Sequence, residues 1–115
     1  MLPALFRLRK KKDFDGVYHS AASKTLHTAL FRIKTAPNTL NHPRFGIVVP
    51  NKLIKKAVER NKKRRQIRAV LGSLLPDMQA HGYDIILLGQ PRLCHAEFLD
   101  IKNDLVAALT KIRFI

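Results

Sequence analysis

Cationic side chains that could bind phosphate groups are concentrated between residues 52 and 68. This segment contains one acid, Glu59, and nine cations: Lys52, Lys55, Lys56, Arg60, Lys62, Lys63, Arg64, Arg65 and Arg68. The segment predicts a helix, and like charges three or four residues apart on a helix repel each other. Such a helix is stable only if packing holds it or a polyanion neutralises it. The segment therefore predicts a surface that binds phosphates.

One side of the predicted helix gathers groups that suit a nucleic acid. At about 100° per residue, one sector contains Ala57, Asn61, Arg64, Arg65 and Arg68. Arginine offers two parallel donors to a phosphate and can stack on bases, whereas lysine acts as a point charge. An asparagine among them adds a neutral donor and acceptor for a sugar or backbone group.

The residue types that perform catalysis form no recognisable arrangement. The histidines are scattered and make no HxxxH spacing: His19, His27, His42, His81 and His95. The nearest base and acid, His95 and Glu97, stand two residues apart at a helix start, where their side chains point different ways. The acids make no ExxH pair of the kind that holds zinc, and no glycine-rich phosphate loop is present. The sequence predicts a phosphate binder without catalytic or metal-ligating residues.

The composition narrows the class of partner. An apolar content of 46% argues for a folded core, and a net charge of +14 with a pI near 10.7 favours nucleic acid or an anionic membrane. Apolar runs such as residues 85–88 and 105–109 are too short to cross a bilayer, and no signal-peptide stretch follows the N-terminus. A lone cysteine, Cys94, excludes an internal disulfide. We expect one cytoplasmic domain over residues 1–115, without membrane attachment.

Two N-terminal elements are predicted. Residues 1–12 are basic and show no sustained period, which predicts an extended, flexible arm that orders on a partner, or else a solvated tail. A short helix from Asp13 puts Phe14, Val17 and Tyr18 on one face. That face either belongs to the core or offers a ring on which a base or sugar could stack.

The middle of the chain predicts strands. Alternation over residues 24–35 indicates a half-exposed strand with Arg32 and Lys34 on its polar side. Residues 36–43 read as a loose hairpin connection, and residues 45–49 as a buried strand that leads into the basic helix.

The remaining elements complete an α+β sandwich with one sheet. The basic helix continues to Leu75 through an apolar stripe, so we expect its two ends to pack against different parts of the core. Residues 83–89 predict a buried strand. A closing helix over residues 95–112 has its apolar positions at helical spacing: Phe98, Leu99, Ile101, Leu105, Ala108, Leu109 and Ile112. If the strands at residues 45–49 and 83–89 are parallel, generic rules predict a right-handed crossover.

The basic helix and the strand before it resemble the protein subunit of bacterial ribonuclease P. That family carries a helix of the form A-V-x-R-N-x-x-K-R-x-x-R after a strand of the form R-[IV]-G-[LI]. The corresponding residues here are Arg44-Phe45-Gly46-Ile47 and Ala57-Val58-Glu59-Arg60-Asn61 onward. Upstream, the family's L…F-x-x-V-[FY] pattern is matched by Leu8, Phe14, Val17 and Tyr18. The spacing fits from residue 7 to residue 112.

A few positions depart from the family pattern. Asn51-Lys52 stands where a Lys-Lys pair is usual, and Arg64 stands where lysine is common. Ala69 and Leu71 replace the frequent Glu and Phe after the last arginine.

The resemblance implies a two-layer α/β sandwich of order αβββαβα, like the second domain of ribosomal protein S5. Its sheet would be four-stranded and mixed, with an uncommon left-handed βαβ crossover. The implied function is to join a catalytic RNA that hydrolyses precursor tRNA and releases the 5′ leader. Magnesium ions would be held mainly by that RNA, and the protein would supply no catalytic or metal-binding residue. The expected partners are ribonuclease P RNA, bound 1:1 by a monomeric protein, and precursor tRNA.

The resemblance also suggests which residues contact each RNA. Those expected at the RNA subunit are Lys52, Lys56, Arg60, Asn61, Lys63, Arg64, Arg65 and Arg68. Those expected at the leader are Lys10, Lys11, Phe14, Tyr18, Arg32 and Lys34, of which Arg32 and Lys34 are added from strand alternation. The alternatives are another RNA-binding module, such as a ribosomal or assembly protein, and an autonomous nuclease.

Overall fold

The computed structural model describes residues 2–78 and 82–112. Its helices and strands are α1 (Lys11–His19), β1 (Lys24–His27), β2 (Phe31–Pro37), β3 (Arg44–Val48), α2 (Ala57–Leu74), β4 (Tyr83–Gly89) and α3 (Phe98–Lys111). Short 3₁₀ turns lie at Ala4–Phe6, Leu75–Asp77 and Pro91–His95. The order αβββαβα confirms the fold class that the resemblance implied, and β4 matches the predicted strand.

The four strands form one mixed sheet in the order β1-β2-β4-β3. The β1–β2 and β2–β4 pairs are antiparallel, whereas β3 and β4 are parallel. Because α2 connects the two parallel strands, it forms the crossover of a βαβ unit. The hand of this crossover stays a prediction.

Helices cover both faces of the sheet. Phe31, Ile33 and Ile85 point to the face that carries α2 and α3, and they are completely buried. The predicted stripe on α2 packs there through Ile67, Val70 and Leu71. The residues buried on the opposite face are Leu8, Val17, Ala36 and Ile86. Each fully buried large apolar side chain contributes about 1.5–3 kcal/mol, so these stripes fix both layers.

The single strand predicted over residues 24–35 is wrong, because the chain turns at Thr28. The Thr28 N–H donates to the Phe31 carbonyl at 2.8 Å, and the Phe31 N–H donates to the Thr28 hydroxyl at 2.9 Å. That hydroxyl lies 2.6 Å from an Asp104 carboxylate oxygen on α3 and donates to it. A local hydroxyl turn of this kind leaves the apolar alternation intact, so periodicity does not reveal it.

Helix α2 begins at Ala57, five residues later than predicted. The Pro50 carbonyl accepts hydrogen bonds from the N–H groups of Leu53 and Ile54 at 3.0 and 3.2 Å, which forms a turn before the helix. Ile54 is buried and anchors this connection. At the N-terminus the opposite occurs, and α1 begins at Lys11, before the expected Asp13.

The start of α3 also differs from the prediction. The helix begins at Phe98 after a 3₁₀ turn, because Glu97 forms a capping box in which its N–H donates to an Asp100 carboxylate oxygen at 2.9 Å. As a result Phe98 and Leu99, expected in the core, are 43% and 63% exposed. Of the predicted stripe, Ile101, Leu105, Ala108 and Leu109 are buried.

Within the arm predicted over residues 1–12, Leu2, Arg7 and Leu8 contact the domain, and the flexibility of the arm stays a prediction. Leu2 and Leu8 are buried. The Leu8 N–H donates to the Phe45 carbonyl at 2.8 Å, and Arg7 forms a parallel bridge with Phe45. Charge patterning alone missed these two leucine anchors.

A charged network ties α1, β3 and β4 together. Arg44 Nε and Nη2 donate to the two carboxylate oxygens of Asp84 at 2.9 and 2.8 Å, and Asn38 donates to Asp84 Oδ1 at 2.8 Å. A longer ion pair, at 3.6 Å, joins Arg44 to Asp13 on α1. Asp84 is the one buried polar or charged side chain in the described ranges. The hydrogen bonds to Asp84 raise the pKa of Arg44. The pairing of Arg44 with Asp84 therefore stabilises the fold throughout the neutral pH range, and the contribution of the Arg44 charge is lost only above the ordinary pKa of arginine.

We expect Asp84→Asn to destabilise the protein by about 3 kcal/mol, because it leaves the Arg44 charge without its carboxylate in a half-buried position. Urea unfolding with an unchanged m-value would measure this loss. Asp77→Asn, an exposed acid outside the network, is the matched control and should change stability by less than about 0.5 kcal/mol. A loss below about 1 kcal/mol for Asp84→Asn would contradict this role.

Candidate nucleic-acid interface

One side of α2 presents an arginine face, which consists of Asn61, Arg64, Arg65 and Arg68. Asn61 and Arg65 are exposed, and the other two are half-buried. The Asn61 carboxamide oxygen accepts a hydrogen bond from Arg64 Nη1 at 3.0 Å and so orients that guanidinium group. Within the described residues the ion pairs all involve Arg44, so no carboxylate neutralises the arginine face. The structure brings together these four predicted residues.

Two other predicted contacts turn inward. Arg60 Nη1 donates to the carbonyls of Ile54 and Lys55 at 2.9 and 2.7 Å, and Lys63 Nζ donates to the carbonyl of Ala96. Arg60 therefore holds the connection before α2, and Lys63 holds the segment before α3. Their direct contact with RNA stays a prediction, and the structure gives both an internal role.

The remaining two predicted residues lie just outside the helix. Lys52 is exposed in the turn before α2, and Lys56 is exposed at the N-cap. Both extend the positive charge beyond the start of the helix, although neither shares a helical face with Arg64.

An N-terminal residue joins the arginine face. Burial lowers the pKa of Arg68, and the nearby positive charges of Arg7 and Arg64 lower it further. The Arg7 Nε donates to the Leu2 carbonyl at 2.8 Å, which ties its position to the packed N-terminal segment. Sequence reasoning did not single out Arg7. The signal that could have found it is Leu8, the apolar anchor beside it.

A second surface, the α1 groove, lies on the other face of the sheet and consists of Phe14, Tyr18, Arg32 and Lys34. Lys34 pairs with Ile86 of β4, which is buried with Val17 of α1, so Lys34 lies on the α1 side. Arg32, two residues away on β2, points to the same side. The Lys34 Nζ lies 5.3 Å from the centre of the Tyr18 ring. The structure thus brings together these four predicted leader contacts.

The two rings of this groove differ in burial. Tyr18 is 44% exposed, whereas Phe14 is half-buried. The Phe14 ring lies so close to Gly46 that a Cβ there would come within 2.5 Å of Phe14 Cε1. Tyr18 is therefore the ring that is free to stack on a ligand, and Phe14 mainly seats α1 on β3.

The last two predicted leader contacts, Lys10 and Lys11, are exposed at the start of α1. Lys10 also lines a cationic groove of about 460 Å³ with Arg7, Arg9 and Lys12. Positive charge therefore continues from the N-terminal segment toward α1.

The described residues contain no group of three or more His, Cys, Asp or Glu side chains that could hold a metal ion. His81 lies outside the described residues. Of the helices described, none has both the length and the apolar character that a membrane span requires.

Comparisons with known proteins agree on one family. A family model described as Ribonuclease P matches residues 2–113. A ribonuclease P protein component from Microcystis aeruginosa is 34% identical over 116 residues, covering 99% of this chain and 96% of the relative. The solved Staphylococcus aureus RNase P protein superposes with a TM-score of 0.83 at 29% identity, covering 95% of this chain and 96% of that one. The Thermotoga maritima RNase P protein superposes with a TM-score of 0.80 at 27% identity, covering 91% of this chain and 96% of that one.

We expect the free energy of unfolding of the RNA-free protein to rise with salt concentration, because salt screens the repulsion between charges of the arginine face. Because the pKa of Arg68 is lowered on folding, its charged form disfavours the fold at every pH below that folded value. Raising ionic strength from about 20 to about 200 mM shortens the screening length and weakens the repulsion. Arg68→Gln should reduce the resulting rise in Tm by about 1–4 °C, as measured by thermal unfolding.

The matched control is Arg92→Gln, which removes the same charge from an exposed arginine that does not act on Arg68. It should keep the wild-type salt response. Equal responses of both variants would show that net charge, and not the arginine cluster, sets the effect.

Proposed function

The chain belongs to the ribonuclease P protein family, and on that premise we propose that it binds the RNA subunit of ribonuclease P and the 5′ leader of precursor tRNA. The observation that carries this proposal is the arginine face, whose guanidinium groups have no carboxylate partner among the described residues. Phosphates of a folded RNA are the counter-ions that such a face requires.

Arg64, Arg65 and Arg68 would contact phosphates of the RNA subunit, and Asn61 would orient Arg64 among them. Arg60 and Lys63 would act by fixing the two connections that flank this surface. If about 6–10 phosphates are neutralised in all, affinity should fall by about 10³–10⁵ between 50 and 200 mM salt.

The α1 groove suits a single strand of variable sequence. Tyr18 offers a ring on which a base can stack, while Arg32, Lys34, Lys10 and Lys11 offer charge to the backbone. Stacking with phosphate contacts tolerates any base, as a leader requires. Because the groove and the arginine face belong to opposite sides of one sheet, a rigid domain would hold both RNAs at a fixed separation.

The chemistry would belong to the RNA subunit. Among the described residues, no group of three or more His, Cys, Asp or Glu side chains gathers at one point. We therefore propose that the RNA holds the Mg²⁺ and cleaves the substrate, as an endoribonuclease of the cytoplasm, with one protein bound per RNA. The protein would raise the affinity for precursor tRNA. It would also lower the magnesium concentration at which the RNA subunit and the precursor tRNA, both polyanions, can associate.

We expect no cleavage of precursor tRNA by the protein alone, because the residues that the structure describes offer no acid–base constellation. Adding a bacterial ribonuclease P RNA at low magnesium should give strong stimulation over the RNA without protein. Gel analysis of the released leader would measure both. Cleavage by RNA-free protein, or absence of stimulation at every magnesium concentration, would contradict the proposal.

We expect variants of the two surfaces to separate two binding events. Arg64→Gln should weaken binding to the RNA subunit and reduce its salt slope by about one unit. In the holoenzyme, Tyr18→Ala should weaken the binding of precursor tRNA with a leader by about 1–3 kcal/mol, because one stacking contact is lost. The binding of mature tRNA should stay unchanged.

Fluorescence titrations with the two tRNAs would measure the Tyr18 effect. Tyr18→Phe keeps the ring and should restore leader binding, and Arg92→Gln should leave both events unchanged. A Tyr18→Ala effect of equal size on mature tRNA would contradict the assignment of the groove to the leader.

A further inference from the structure

An exposed aromatic ring lies beside α2, next to the arginine face, from which it is separated by Arg65. Phe98, the first residue of α3, is 43% exposed and lines a groove of about 240 Å³. The other residues of this Phe98 groove come from α2 and are Lys62, Arg65, Gln66 and Ala69. The capping box at Glu97 fixes the helix start and therefore the position of the ring.

The groove has the composition of a site for a nucleotide. A phenylalanine ring offers a face for a base, and Ala69 leaves space in front of it. Lys62 and Arg65 supply two cations that make no ion pair within the described ranges. Exposed aromatic rings between cations are the pattern by which proteins hold single-stranded nucleic acid.

Gln66 adds an unmet hydrogen-bonding group. Its Oε1 is buried and has no partner among the described residues. Gln66 and Lys62 also line an adjoining groove of about 790 Å³ that reaches His95 and Glu97. A buried acceptor without a donor is unfavourable, and the edge of every base carries an N–H group that could satisfy it.

The position on α2 connects this groove with the arginine face. At about 100° per residue, Lys62 follows Asn61 around the helix, and Arg65 borders both surfaces. An RNA that lies on the arginine face can therefore reach Phe98 by continuing around α2. Self-association through the same groove is disfavoured, because a two-fold contact would bring Lys62 and Arg65 of both copies together.

We propose that the Phe98 groove binds one unpaired nucleotide of the RNA subunit. The base stacks on Phe98, the backbone phosphate lies near Lys62 and Arg65, and the Gln66 carboxamide turns outward to accept from the base edge. This inference rests on the proposed function and extends the RNA contact beyond the arginine face.

The test measures binding of the full chain to a bacterial ribonuclease P RNA over a range of salt concentrations. Phe98→Ala should weaken binding by about 5- to 150-fold, the loss expected for one stacked base. Its salt slope should stay unchanged because no charge is removed. Phe98→Tyr keeps the ring and should restore affinity. Lys62→Gln should instead reduce the slope by about one unit.

Leu99→Ala is the matched control, since Leu99 is the next residue, is more exposed than Phe98 and does not line the groove. It should bind like the wild type. Ultraviolet cross-linking, followed by mass spectrometry, should attach RNA to the tryptic peptide of residues 93–102, and Phe98→Ala should abolish that product.

Three outcomes would overturn the inference. The first is wild-type affinity for Phe98→Ala, and the second is equal weakening by Phe98→Ala and Leu99→Ala. The third is a dimer in sedimentation velocity that Phe98→Ala dissociates, which would make a second copy the occupant. If the wild-type protein itself does not bind the RNA, the proposed function fails as well, so the two failures are distinguishable.

Discussion

Unneutralised positive charge on a rigid helix is the constraint on which the rest of this structure depends. Helix α2 tolerates it because Ile67, Val70 and Leu71 anchor one side of the helix in the core. Two of its cations are directed into the protein, where Arg60 and Lys63 donate to backbone carbonyls. The other side is left to the arginines, so the packing that stabilises the helix also fixes where its charge points.

The opposite face of the sheet is organised by a different charged group. Arg44 joins Asp84 on β4 to Asp13 on α1, and Phe14 seats α1 against Gly46. Tyr18 of α1 then lies beside Lys34 of β2. Both surfaces that we propose for RNA binding are therefore positioned by contacts made within the protein.

Sequence patterns predicted the parts of this fold that hydrophobic burial determines. The strand β4 and the apolar stripe of α2 follow directly from runs and spacings of apolar residues. The turn at Thr28 and the late start of α2 were missed, because side-chain and carbonyl hydrogen bonds set them locally. Phe98 was assigned to the core because periodicity does not reveal where a capping box begins a helix.

The sequence predicted the candidate surfaces in part, as it did the fold. Charge density identified α2, and strand alternation placed Arg32 and Lys34 on one side of the sheet. Composition could not separate Arg60 from Arg64, since the difference lies in which carbonyls each guanidinium group reaches. Arg7 was missed for the related reason that its position depends on the burial of Leu2 and Leu8, which charge patterning does not reveal.

The packed N-terminal segment has a consequence for the behaviour of the protein at high concentration. Strand β3 is an outer strand of the sheet, and outer strands are templates for intermolecular strand pairing and aggregation. The bridge between Arg7 and Phe45 occupies part of that exposed backbone, and the cations that follow it discourage the approach of another copy. The N-terminal segment thus reduces the length of free backbone that β3 offers for edge-to-edge pairing with another copy.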